Sequence, residues 1–74
     1  MTRRSPVRKR SVAIRGHATS LTLEDVFWTT LKAIARARGI SLQALIAEVD
    51  RTRRGNLSSA LRVFALKEIL KKKG

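Results

Sequence analysis

The chain has no cysteine and no tyrosine, and among its 74 residues it has one histidine and five acids. Without cysteine there is no disulfide and no thiolate ligand, and His17 alone cannot build a structural zinc site. No apolar run approaches the roughly 20 residues that span a bilayer. The basic N-terminus lacks the apolar core of a secretory signal, so the expected compartment is the cytoplasm. Three aromatics, Phe27, Trp28 and Phe64, are too few for the stacking platform of a single-stranded RNA reader. There is no glycine-rich phosphate loop, nucleophile elbow or cluster of metal ligands. His17 has neither a nucleophile nor an orienting carboxylate in view. Glu24 and Asp25 suit a helix start, while Glu48 and Asp50 balance nearby arginines. The expectation is a protein that is not an enzyme, with no cofactor, no metal and no small-molecule substrate.

What the chain does have is positive charge, at a net +12. Residues 1–17 hold six cations (Arg3, Arg4, Arg8, Lys9, Arg10 and Arg15) and no acid. Residues 56–74 hold five cations (Arg62, Lys67, Lys71, Lys72 and Lys73) against Glu68. The middle, 18–55, is nearly balanced, with six basic and four acidic residues. Basic ends of this kind bind nucleic acid by displacing counterions from phosphates. A solubilising tail and an anionic membrane surface are the competing readings. The length allows one domain, and a domain this small buries little apolar surface alone. With disulfides and metal excluded, oligomerisation is the remaining staple.

The local patterns give the elements. Residues 1–10, with Ser5-Pro6 and dense like charge, read as a disordered basic arm, and residues 11–74 as the folded domain. Thr19-Ser20-Leu21-Thr22-Leu23 alternates, which predicts a strand over about 18–23. Ser11-Val12-Ala13-Ile14-Arg15 alternates too, but with its apolar residues on the opposite parity. One flat strand cannot aim both sets at one core, so a bulge or bend near Gly16-His17 separates two extended segments. The alternative is that 11–17 orders only on DNA. On this reading the strand at 18–23 has no partner in its own chain, and pairing with a second copy satisfies its backbone.

Helix A is predicted over about 24–38, with a Thr22/Asp25 capping box, a buried face of Phe27, Leu31, Ile34 and Ala35, and Gly39 as terminator. Helix B follows its N-cap Ser41 over about 42–54, with Leu42, Leu45, Ile46 and Val49 as its stripe. Asn56 caps helix C, about 57–72, whose apolar face is broad for a terminal helix.

The runs RSVAIRGHATSLTLEDVFW, ARARGISLQALIAEVD and RRGNLSSALRVFAL resemble the ribbon-helix-helix DNA-binding family, in particular a compact bacterial subgroup, over residues 10 to about 66. The resemblance implies a mostly helical obligate dimer with one short strand per chain, paired as an intermolecular antiparallel ribbon, plus a third helix. It implies a major-groove ribbon in double-stranded DNA, read through Ala18, Ser20 and Thr22. Phosphate contacts would come from Arg8, Lys9, Arg10, Arg15 and His17, and from the amides after Ser41, at Leu42. The dimer core would be Leu21, Leu23, Phe27, Leu31, Leu42, Leu45, Ile46 and Val49. Family members that read bases well carry Arg, Lys, Gln or Asn on the ribbon. Ala, Ser and Thr here imply weak specificity, or specificity supplied by Arg15, His17 and the arm.

Two functions compete. One is a transcriptional regulator or nucleoid factor working on DNA. The other is an interaction module, tetrameric or antitoxin-like, in which helix C with Trp28 and Phe64 forms a higher-order interface. Trp28 is either such an anchor or is covered by helix C.

Overall fold

The computed structural model describes residues 7–73, as two strands and three helices: β1 (Val7–Ile14), β2 (His17–Glu24), α1 (Asp25–Arg38), α2 (Leu42–Thr52) and α3 (Leu57–Lys73). The expected single strand with no partner in its chain is corrected. β1 pairs antiparallel with β2, in a register running from Val7↔Glu24 to Ile14↔His17. Of the arm, Val7–Arg10 belong to β1, and residues 1–6 lie outside the described ones.

The turn explains why one strand became two. Arg15 and Gly16 both have positive φ, 53° and 82°. That is the signature of a two-residue type I′ turn, whose twist matches the flanking strands. The parity conflict between Val12/Ile14 and Leu21/Leu23 has the same origin. Partners whose numbers sum to an odd value share a face, so even positions of β1 lie beside odd positions of β2. A change of parity across Arg15-Gly16 is therefore what a tight hairpin produces, and no bulge is needed. Arg15 bears a left-handed backbone that L-residues avoid. Arg15→Asn is expected to raise stability by about 0.5–1 kcal/mol, because Asn tolerates that region better. An unchanged or lower thermal midpoint would show that the turn is not limiting.

The helices fall close to their predicted bounds. Glu24, extended at φ −62° and ψ 146°, precedes α1 without a side-chain cap bond, so the Thr22/Asp25 capping box does not form. Gly39, at φ 70°, closes α1: its amide donates to the carbonyl of Arg36, and that of Ile40 to Ala35. This is a Schellman closure. Ser41 caps α2, its Oγ accepting from the amide of Ala44 at 3.0 Å. α2 stops at Thr52, two residues before the predicted end, since Arg53 is already extended. Its guanidinium holds Asp50 at 2.7 Å and also the carbonyl of Gly55. Asn56 caps α3 through Oδ1, which accepts from the amide of Ser59 at 3.1 Å.

One core joins the hairpin to all three helices: Ile14, Leu21, Leu23, Trp28, Leu31, Ala35, Leu45, Ile46, Val49, Leu57, Leu61 and Ala65. It closes within a single chain. Six of the eight residues expected in a dimer core are buried there, while Phe27 and Leu42 are only half-buried. The aromatic pair is reversed from expectation. Trp28 is 1% exposed, and its Nε1 donates to the carbonyl of Arg8 at 3.2 Å. The Arg10 guanidinium lies over its ring at 5.2 Å. β1 thus supplies Trp28's hydrogen-bond acceptor and a cation over its ring, and a buried Trp28 is no exposed anchor for a second dimer. Phe27 instead lies under Arg62, at 5.9 Å.

Candidate nucleic-acid interface

The hairpin sorts its side chains into two rows. Leu21 and Leu23 point to the helices and are buried. The opposite row carries Lys9 beside Thr22, Ser11 beside Ser20, and Ala13 beside Ala18, all exposed. Ala18, Ser20 and Thr22 thus share one outward face, as expected from alternation. Lys9 and Ser11 join them from β1, whose pairing with β2 and start at Val7 the sequence reading of an extended segment at 11–15 missed. The parity change across Gly16 was the one signal that could have revealed it.

The cations of the basic arm do not share one face of the ribbon. Arg8 and Arg10 alternate with Lys9 and so lie on the inner row. Arg8 Nε pairs with Asp25 at 3.0 Å, and Arg10 covers Trp28. Lys9 alone of the three projects on the outer row.

The acids explain where positive charge is left over. All five are engaged: Glu24 by Arg62, Asp25 by Arg8, Asp50 by Arg53, Glu68 by Arg38 and Lys71, and Glu48 by Arg38 at the longer distance of 3.9 Å. These pairs are mostly exposed and each contributes little to stability. Their effect is to consume every negative charge, so among the described residues the cations outside these pairs, Arg15, Arg51, Arg54 and Lys67 among them, are exposed. Several gather at the hairpin tip. Arg15, Arg51 and Arg54 line an open cleft of about 500 Å³, with the ion-paired Asp50 and Arg53. His17 and Thr19 line an adjoining cleft with Arg15 and Arg53. By its position at the end of α2, the Arg51–Arg54 run reads as a solvated helix end. Only the fold brings it to Arg15, and no spacing rule foretells that meeting.

The start of α2 lies against β1. Gln43 Nε2 donates to the carbonyl of Ala13 at 2.9 Å. Ser41 and Leu42 therefore open a helix beside the ribbon, with first-turn amides that have no intrahelical acceptor. At the other edge, Ser58 Oγ donates to the carbonyl of Thr22 at 3.1 Å, tying α3 to β2. Arg62 Nε donates to Glu24 Oε1 at 2.8 Å.

That last bond sets a pH dependence. The Arg62 hydrogen bond, helped by the backbone amide of Glu24, holds the Glu24 carboxyl below its ordinary 4.5. A depressed folded value stabilises above the unfolded value and loses that stabilisation as pH falls through the folded one. The chain is expected to lose stability on acidification below about pH 4.5. Glu24→Gln should flatten that fall, and an unaltered acid limb in the variant would assign it elsewhere.

Among the described residues there is no group of acids and histidine that could hold a metal ion, and no helix long and apolar enough to cross a membrane. Phe64 is half-buried, with Arg38 above its ring at 5.3 Å.

Comparison with known proteins agrees with this geometry. A ribbon-helix-helix domain profile matches residues 7–69. The solved structure of an uncharacterized protein from Bordetella pertussis Tohama I is similar, with a TM-score of 0.77 and 34% identity. The match covers 97% of this chain and 63% of that one. Among curated proteins nothing matches. Ribbon-helix-helix domains are in general DNA-binding regulatory modules rather than enzymes, and family members typically bind DNA as dimers. With two paired strands, the helices behind them and the matched profile in agreement, this chain belongs to the ribbon-helix-helix family.

Proposed function

We propose that the chain is a double-stranded DNA-binding regulator that lays the outer row of its β1–β2 ribbon in the major groove. The observation that carries this reading is the row itself: Lys9, Ser11, Ser20 and Thr22, exposed across paired strands. A two-stranded ribbon fits the major groove, where every base pair presents a distinct pattern. Ser and Thr accept or donate to either kind of edge. Lys9 adds the long donor that Ala18, Ser20 and Thr22 lack, and it can reach guanine O6 and N7. Phosphates would be held by Arg15, Arg51, Arg54 and His17 at the tip, and by the Leu42 amide at the start of α2. With DNA as its ligand, the chain would work at the nucleoid, in the cytoplasm.

The outer row joins side chains of two strands that differ in sequence, so one chain presents an asymmetric face. A second copy, usual in this family, would bring a second complete ribbon rather than complete the first.

Selection of bound duplexes from a random pool, at near-physiological salt with competitor DNA, tests this reading. The expected result is an enriched motif with a non-palindromic core, repeated if two copies bind side by side. Its affinity should fall steeply with salt, since several phosphates are neutralised together. Retention of no duplex at all would end the proposal.

A further inference from the structure

α3 is apolar on two sides. Leu57, Leu61 and Ala65 face the core and are buried. Val63, Leu66 and Leu70 face away, exposed at 51%, 55% and 60%. Their spacing of three and then four residues draws one continuous stripe along the helix. Beside it, α2 and α3 leave an open cleft of about 510 Å³. Its deeper residues are Val49, Ala60 and Phe64; Val63, Arg54 and Lys67 stand at its exposed margin. No acid lines it. Contiguous exposed apolar surface of this kind marks an interaction site.

We propose that this cleft and stripe dock an acidic amphipathic helix of a partner protein. A stripe at three-and-four spacing is complementary to the same stripe on another helix. The charge decides which helix. Every acid of this chain is already engaged by one of its own cations, so none is left to neutralise Arg54 and Lys67. A second copy would bring those cations against themselves, on a chain of net charge +12. Residues 1–6 of the same chain carry Arg3 and Arg4 and no acid, so they do not complement the margin either. An incoming helix with leucine-type residues on one face and glutamates beside them satisfies both the floor and the margin.

The test uses the full chain and a labelled peptide of about 18 residues, roughly five helical turns. It carries leucines at i, i+3 and i+7 spacing and glutamates on the flanks. Binding is read by fluorescence anisotropy. The peptide is expected to bind at least about tenfold more tightly than a shuffled version and than its Glu→Gln version. Val63→Asp, at an exposed position, should weaken it by about tenfold or more without moving the thermal midpoint or duplex binding. Equal binding of the shuffled peptide would reduce the effect to unspecific charge and overturn the proposal. So would an unchanged affinity in Val63→Asp. Sedimentation showing self-association abolished by Val63→Asp, or recruitment to phosphatidylserine vesicles without peptide binding, would assign the surface to another occupant. Duplex binding is measured in the same variant, so failure here leaves the DNA reading intact.

Discussion

Trp28→Ala is expected to destabilise the fold by about 3–5 kcal/mol, the range for truncating a buried large aromatic. Trp28 is the largest fully buried side chain and joins α1 to β1. Its ring fills the core behind the hairpin, its Nε1 satisfies the carbonyl of Arg8, and its face carries the Arg10 cation at 5.2 Å. Truncation leaves a cavity and removes the Nε1 donor and the π face under Arg10 together. A small domain has about 5–15 kcal/mol of stability in total. At about 4–8 °C per kcal/mol, the loss removes most of the thermal margin. Phe27→Ala should cost clearly less, since Phe27 is only half-buried. Denaturant titration of the two variants checks this. A Trp28→Ala loss below about 1 kcal/mol, or a larger loss for Phe27→Ala, would contradict the assignment of Trp28 to the core.

Lys9→Ala is expected to weaken binding to the selected duplex by about 1–3 kcal/mol, roughly five- to 150-fold, and to relax preference at one base position. Arg54→Ala serves as the contrast. At the tip, away from the outer row, it should weaken all duplexes alike and reduce the salt slope by about one. Arg8→Ala should change duplex binding less than either, because Arg8 lies on the inner row and is tied to Asp25. Competition binding across single-base variants of the site separates these outcomes. A uniform loss for Lys9→Ala would return Lys9 to the phosphate contacts and leave base reading to Ser11, Ser20 and Thr22.

The helices are legible in the sequence because their signals are local. Ser41, Asn56 and Gly39 each act within a few residues, and the apolar stripes repeat at the helical period. The hairpin is half legible. Its two alternating segments and their opposite parity are visible, but Arg15-Gly16 is not one of the residue pairs that announce a type I′ turn. Arg15 in a left-handed conformation hides the turn, and with it the place of Lys9 and Ser11 on the ribbon face. What covers Trp28 escapes sequence reasoning for a related reason: β1 supplies its hydrogen-bond acceptor and the cation over its ring, and local pattern does not pair β1 with β2. The joining of Arg15 to Arg51 and Arg54 depends on tertiary closure, about which spacing carries no information.

The hairpin has a consequence for how the protein behaves on dilution. A ribbon assembled from two chains forms by mass action, and its stability is inseparable from protomer concentration. Here the two strands are joined by two residues, and loop closure over so short a distance costs little and is fast. The ribbon face is therefore formed as soon as one polypeptide has folded. Dilution that would take an intermolecular ribbon apart leaves this pairing in place.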